Sequence, residues 1–153
     1  MSMLQQRSSA NESEEFMQAA LVEGREALPL CLPNPPVGCV LVRSGTIIAK
    51  GHTQPPGLHN AEAMAMSQVS GDLADVTAYV TLEPCSFQGR TPSCAKALVA
   101  SGIKRVIVAM LDPDPRNAGA GVQILRAGGV DVSVGLLECE AIADLAPYLG
   151  SSS

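Results

Sequence analysis

Two cysteines, Cys85 and Cys94, are the residues whose type and spacing most suggest chemistry, with eight residues between them. Cys85 follows an apolar run, residues 76–82, that predicts a strand, and Cys94 precedes residues 95–101, which predict a helix. Two thiolates at such a turn can bind a borderline cation such as zinc, and a helix N-terminus favours the anionic form of sulfur. Buried, purely structural thiols are the alternative interpretation.

A second group of reactive side chains stands just before the predicted helix at residues 61–69. It contains His59 and Asn60, with Glu62 in the first turn. One histidine and two cysteines as ligands, with a glutamate that is not a ligand, is the residue set of the zinc deaminases. Zinc lowers the pKa of a water molecule at its open position, and the carboxyl group moves the proton to the departing ammonia.

The elements that must position these groups alternate along the chain. Hydrophobic patterns predict helices at residues 14–28, 61–69, 95–101, 118–127 and 138–145, and strands at residues 37–42, 46–50, 76–82, 104–110 and 130–134. The later half is a run of strand–helix units, which implies parallel strands with helices on both faces. Reactive groups collect at the carboxyl ends of such strands, and Cys85 and Asp112 each follow one.

Length and composition narrow the classes of function. The 153 residues suit one domain, which we expect at residues 14–150 after a polar, disordered lead at residues 1–13. The net charge of −5 without a basic stripe argues against binding to a nucleic-acid backbone, although a small phosphorylated ligand stays possible. The chain shows no signal peptide and no apolar run that could span a membrane. Five cysteines, an odd number, indicate a reducing, cytoplasmic setting.

Several motifs together resemble those of one family. They are residues 33–38 (PNPPVG), residues 80–86 (VTLEPCS), residues 89–94 (GRTPSC), and Asp112-Pro113 followed by Ala118-Gly119. Over residues 16–149 the chain resembles the deaminase domain of the riboflavin-pathway pyrimidine deaminase/reductase proteins. Eight residues between the cysteines are themselves a mark of that family, since most other zinc deaminases have two.

The resemblance implies a fold and an activity. The fold is α/β, a three-layer α/β/α cytidine-deaminase-like domain with a five-stranded mixed sheet. The activity is zinc-dependent hydrolytic deamination of an amino-pyrimidine, either diaminohydroxyphosphoribosylaminopyrimidine or a close analogue, by a homodimer or larger assembly. If the chain supplies only the deaminase half, a separate reductase is required.

The resemblance also implies roles for individual residues. Cys85 and Cys94 match the zinc thiolates, and Glu62 matches the proton shuttle. Arg90 stands where a cation suits a substrate phosphate, because guanidinium groups match phosphate geometry. The expected substrate contacts are Asn34, His52, Ser86, Phe87, Arg90, Asp112 and Asp114.

The chain departs from the family pattern at the third zinc ligand. The family reads His-Ala-Glu, whereas this chain reads His59-Asn60-Ala61-Glu62, which places Asn60 at the ligand position. Three alternatives follow: His59 reaches the metal through a shifted helix start, the two thiolates hold zinc with weak support, or the site is degenerate. In the last case the domain is a binding or scaffold module.

Two further departures concern the substrate. Phe87 replaces a histidine often found after Cys-Ser, and Asp114 replaces the usual asparagine of Asp-Pro-Asn-Pro. Both positions lie near the expected substrate, and a carboxylate near a phosphate repels it unless a cation intervenes. Another base, a nucleoside or a pterin-like ring is therefore an alternative substrate.

Overall fold

A five-stranded mixed sheet forms the centre of the molecule. The computed structural model describes residues 3–86 and 93–149, with side chains from residue 12 onward. Its strands are β1 (Gly38–Arg43), β2 (Thr46–His52), β3 (Val76–Val80), β4 (Arg105–Val108) and β5 (Asp131–Val134), and the spatial order is β2-β1-β3-β4-β5. β1 runs antiparallel to both neighbours, whereas β3, β4 and β5 are parallel.

Helices cover both faces of this sheet. They are α1 (Met3–Arg25), α2 (Ala61–Met66), α3 (Cys94–Ala100), α4 (Ala120–Ala127) and α5 (Glu138–Leu145), followed by a 3-10 turn at Ala146–Tyr148. Ala65, Leu98 and Leu125 bring α2, α3 and α4 into one apolar cluster, while Met17 and Leu145 bring α1 and α5 into a second cluster on the other face. The predicted three-layer α/β/α fold is confirmed.

Strand β1 illustrates why the sequence builds two cores. Cys39 and Leu41 point into the cluster beneath α2–α4, and Val40 and Val42 point into the cluster beneath α1 and α5. Successive side chains of a strand alternate between the faces, so a strand covered on both sides has an uninterrupted apolar sequence. The hairpin to β2 turns at Ser44-Gly45, where both residues have positive φ, 52° and 77°.

The first helix differs from the sequence-based expectation. α1 begins at Met3 and therefore includes most of the segment for which the sequence predicts a disordered lead. Residues 3–23 contain no glycine or proline, so nothing in their sequence interrupts the helical backbone. Within residues 3–86 and 93–149, no helix combines the length and apolar character that crossing a bilayer requires.

The strand register brings the loops of interest to one edge of the sheet. Gly38, which begins β1, pairs with His52 at the end of β2, and Cys39 pairs with Val80 at the end of β3. Val80 in turn pairs with Val108 at the end of β4. The segment before β1 and the loops after β2, β3 and β4 therefore meet at the same edge.

Candidate active site

The two predicted thiols lie together at this edge. Cys85 is in the loop after β3, and Cys94 is the first residue of α3, whose N-cap is Ser93. The Cys85 thiol donates a hydrogen bond to the Cys94 sulfur across 3.1 Å, and the Cys94 N–H points back to the Cys85 sulfur at 3.5 Å. All five cysteines belong to the described part of the chain, and none of them forms a disulfide.

Asn60 approaches this pair from the N-terminus of α2. It is the N-cap of the helix, and its Oδ1 accepts a hydrogen bond from the Ala63 N–H at 2.8 Å. Its Nδ2 lies 2.5 Å from the Sγ of Cys94. His59 is exposed, and no described residue hydrogen-bonds to its imidazole. The structure therefore brings Asn60, and not His59, to the thiols.

Glu62 lies two residues after Asn60, in the first turn of α2, with only 3% of its surface exposed. Burial raises the pKa of this carboxyl group to about 7, and the electrostatic influence of the nearby Cys85 adds to the rise. Hydrogen bonds from the backbone and from Cys94 act in the opposite direction and lower the pKa of Glu62. A carboxyl group with a pKa near neutrality can both accept and release a proton at physiological pH.

A second buried carboxylate, Glu83, holds the cysteine loop in place. It is 3% exposed, and its Oε1 accepts hydrogen bonds from the backbone N–H groups of Asp112 (3.1 Å) and Gly119 (3.0 Å). Its Oε2 accepts a third from Val122 at 3.0 Å, in the first turn of α4. Glu83 thus ties the loop that carries Cys85 to the loop after β4 and to α4.

Sequence reasoning gave Glu83 no role of its own. The available signal was its place directly after the apolar run at residues 76–82, which predicts a strand. A carboxylate buried at such a position requires hydrogen-bond partners, but its neighbours in sequence do not identify them.

Asn117 also links the loop that carries Cys85 to the loop after β4. The sequence analysis did not identify this residue either. It is 1% exposed, and its Oδ1 accepts a hydrogen bond from the Ser86 N–H at 3.1 Å. Its Nδ2 donates to the Pro84 carbonyl at 3.4 Å and to Asp112 Oδ2 at 3.3 Å. The residues on either side of Cys85 are therefore held by one buried amide.

Replacing Asn117 with aspartate tests this connection. Asn117→Asp keeps the shape but removes the donor to Pro84 and sets a second carboxylate beside Asp112. We expect the free energy of unfolding at pH 7 to fall by about 2 kcal/mol, the cost of an unsatisfied buried group. The loss should be smaller at pH 5, where the two carboxylates can share a proton. Urea denaturation at pH 7 and pH 5 measures the loss of stability. An equal loss at both pH values would contradict the proposed repulsion between the two carboxylates.

The expected substrate contacts are spread along this edge. Asn34 is exposed in the segment before β1, and His52 ends β2 with its Nδ1 2.6 Å from the Oε2 of Glu23 on α1. Ser86 is partly buried beside Cys85. Phe87 and Arg90 lie outside the residues that the structure describes.

The two aspartates of the loop after β4 are engaged within that loop. Asp112 Oδ1 accepts a hydrogen bond from the Asp114 N–H at 3.0 Å. Asp114 Oδ2 lies 2.7 Å from the Nη2 of Arg116, and hydrogen bonds from Arg116 lower the pKa of Asp114 to about 2. The extra negative charge that Asp114 adds to the chain therefore has a cation beside it.

The donor set can be compared with the needs of a zinc ion. Zinc–sulfur bonds of about 2.3 Å in a tetrahedron place two sulfurs about 3.8 Å apart. The sulfurs of Cys85 and Cys94, now 3.1 Å apart, would need only a small outward movement. No cluster of three histidine, cysteine, aspartate or glutamate residues suited to a metal occurs in residues 3–86 and 93–149. The two thiols thus fit zinc, and the third group facing them is the Asn60 amide.

A mixed sheet between two helical layers, with two cysteines and a buried glutamate at one edge, defines a protein of the cytidine-deaminase-like class. Residues 10–110 match the family model described as the cytidine and deoxycytidylate deaminase zinc-binding region, and the chain belongs to that family.

Individual relatives and solved structures show which members of the family are similar to this chain. The chain is 44% identical over 128 residues to the riboflavin biosynthesis protein RibD of Aquifex aeolicus, an alignment covering 84% of this chain and 36% of the relative. It is 43% identical over 109 residues to the diaminohydroxyphosphoribosylamino-pyrimidine deaminase of Buchnera aphidicola, covering 71% of this chain and 74% of that protein. The solved structure of Acinetobacter baumannii RibD superposes with a TM-score of 0.86 at 40% identity, over 92% of this chain and 40% of that one. The chain thus spans little more than a third of the length of the RibD relatives that it matches.

Proposed function

We propose that this chain catalyses hydrolytic deamination of an amino-pyrimidine, either diaminohydroxyphosphoribosylaminopyrimidine or a close analogue. The observation that carries the proposal is the buried Glu62 beside the paired thiols of Cys85 and Cys94. The substrate class is supported by the 43% identity to the Buchnera deaminase, of which this chain covers 74%.

The cysteines and Glu62 would have separate roles in such a reaction. Cys85 and Cys94 would hold a zinc ion, which supplies a Lewis acid that lowers the pKa of water to near neutrality. Glu62 takes a proton from the attacking water and delivers it to the ring nitrogen next to the reacting carbon. It then transfers the second proton to the amino group, which leaves as ammonia while the carbon becomes a carbonyl. The pKa of about 7 suits Glu62 to both transfers.

Substrate binding is proposed along the same edge of the sheet. Asn34, Ser86 and Asp112 belong to three segments that converge there, and we propose them as contacts to the ring and ribose. Arg90 remains the proposed partner of a substrate phosphate, on the strength of the family resemblance. The pairing of Asp114 with Arg116 supports binding of a phosphorylated substrate, because it reduces the repulsion that an isolated carboxylate would cause.

Ammonia release tests the activity and the substrate together. Purified protein with excess zinc should release ammonia from the phosphorylated amino-pyrimidine, and at least about tenfold more slowly from cytidine, deoxycytidylate or a pterin. Preference for one of these alternatives would reject the proposed substrate but keep the enzyme. No ammonia from any of them, with zinc bound, would favour a catalytically degenerate binding module.

Setting and assembly are also proposals. We propose a single deaminase domain over residues 14–150, working in the reducing cytoplasm on a small molecule rather than a nucleic acid, as a homodimer or larger assembly. The lack of disulfide bonds among the five cysteines, all of which the structure describes, supports the reducing setting, and the net charge of −5 supports a small substrate. Light scattering on the purified protein tests the assembly, and a monomer at micromolar concentration would contradict it.

A further inference from the structure

The segment before β1 has few backbone groups that can fix its position. Three of residues 33–36 are proline and carry no N–H, so Asn34 supplies the only backbone donor there. The Asn34 N–H binds the Cys31 carbonyl at 2.9 Å. The remaining polar backbone groups of this segment are carbonyls, and these need a donor from elsewhere in the chain.

Thr53, in the loop after β2, supplies that donor. Its hydroxyl donates a hydrogen bond to the Pro35 carbonyl at 2.9 Å and accepts one from the Val37 N–H at 3.0 Å. The Thr53 N–H also donates to the Val37 carbonyl at 3.1 Å. A hydroxyl group suits this position because it donates and accepts at once. Asn34 precedes a proline, which confines its backbone to extended conformations, so these bonds limit the direction of its side chain.

The loop that carries Thr53 is also attached to the start of α2. The Gln54 N–H donates to the His59 carbonyl at 3.1 Å, and the Gln54 side chain donates to the Sδ of Met64 in α2 at 2.9 Å. This helix carries Glu62 in its first turn. Thr53 thus joins the segment before β1 to the helix of the proposed proton shuttle.

His52, the neighbour of Thr53, has a different partner. Its Nδ1 lies 2.6 Å from the Oε2 of Glu23 on α1, which covers the face of the sheet opposite α2. Of these two residues at the end of β2, Thr53 therefore has the direct connection to the segment of Asn34.

We propose that Thr53 is a positioning residue for substrate binding, which keeps Asn34 where its side-chain amide can hydrogen-bond the pyrimidine ring. The inference rests on the proposed function, because Asn34 is a proposed contact of that substrate. Thr53 acts through Asn34 and takes no part in proton transfer. Its loss therefore weakens binding and leaves the chemical step at Glu62 largely unchanged.

Substitutions at Thr53 test this role through the separate values of KM and kcat. Thr53→Val keeps the shape but removes the hydroxyl, so it should raise KM about tenfold while kcat changes less than about twofold. Thr53→Ala removes the same hydrogen bonds without setting a methyl group against the Pro35 carbonyl, and it should have the same effect. Thr53→Ser keeps the hydroxyl and should stay within about twofold of wild type. Thr46→Val, at the exposed start of β2, is the matched control and should change neither constant.

A double substitution shows whether Thr53 acts through Asn34. Asn34→Ala should weaken equilibrium binding of the phosphorylated amino-pyrimidine, as measured by calorimetry. Adding Thr53→Val should weaken it little further, because the side chain that Thr53 positions is already absent. Without ligand, hydrogen exchange at the Val37 amide should be at least about tenfold faster in Thr53→Val than in Thr53→Ser.

Four results would overturn the proposal. They are a wild-type KM in both Thr53→Val and Thr53→Ala, a kcat that falls as far as KM rises, fully additive losses of binding free energy in the double variant, or unchanged exchange at Val37. Absence of ligand binding by the wild-type protein would reject both the substrate and the role of Thr53. Missing ammonia release although the ligand binds would reject the proposed activity alone, since the dissociation constants still test Thr53.

Discussion

Replacing Glu62 with glutamine is expected to lower kcat for ammonia release about 10³-fold, the largest effect on activity that we foresee. Glu62→Gln preserves the size and burial of the side chain but removes its ability to take a proton from water and pass it on. KM should change little, since the shape of the pocket is kept. Steady-state ammonia release at saturating zinc measures both constants, with Glu15→Gln on the exposed face of α1 as the matched control.

The stability of the metal-free Glu62→Gln variant offers a separate check on the same residue. Burial raises the folded-state pKa of Glu62 from its ordinary 4.5 to about 7, so the folded protein holds more protons than the unfolded chain between these values. The free energy of unfolding should therefore decrease as pH rises through this window. The glutamine variant lacks this titration, so its stability relative to wild type should improve from pH 4.5 to pH 8. A pH-independent difference between the two proteins would show that Glu62 keeps an ordinary pKa.

Replacing Glu83 with glutamine is expected to lower the free energy of unfolding by about 3 kcal/mol, the largest loss of stability that we foresee. Glu83 accepts three backbone N–H groups, and in Glu83→Gln one acceptor oxygen becomes an NH2 group that faces a donor. At least one buried N–H then lacks a partner. Urea denaturation measures the loss, again beside Glu15→Gln, for which we expect a change within about 0.5 kcal/mol.

The zinc affinity of Glu83→Gln tests whether Glu83 positions the loop that carries Cys85. Because Glu83 holds the loop that carries Cys85, we expect zinc affinity to fall together with stability. A variant as stable as wild type would contradict the role we assign to the three hydrogen bonds. A variant of reduced stability that still binds zinc as wild type does would show that the loop keeps its shape without them.

The strands and most of the helices follow directly from the sequence. The apolar runs at residues 37–42 and 104–110 contain β1 and β4, because strands buried on both faces select apolar residues at every position. Turn residues such as Ser44-Gly45 mark the hairpin, since only certain residues adopt positive φ at low cost. The sequence predicts a disordered lead at residues 1–13, whereas α1 begins at Met3, because a polar composition does not by itself prevent a helix.

The pair of thiols at Cys85 and Cys94 could be located from residue types and spacing alone. Which residue stands beside the thiols could not, because His59 and Asn60 are adjacent and successive helical residues point about 100° apart. Only the N-cap bond from Ala63 to Asn60 sets the helix start and so turns His59 to solvent.

The supports of the site were likewise decided by tertiary structure alone. Apart from the contact between Asn117 and Asp112, Glu83 and Asn117 bind backbone groups about 30 residues or more away in the chain, and backbone groups leave no mark in residue type. The sequence by itself thus determined the fold, the thiol pair and the position of Glu62, the proposed proton shuttle, since these depend on local pattern and chemistry. The folded chain decided that Asn60 faces the thiols and that two buried polar side chains hold their loop, because those contacts exist only when distant segments meet.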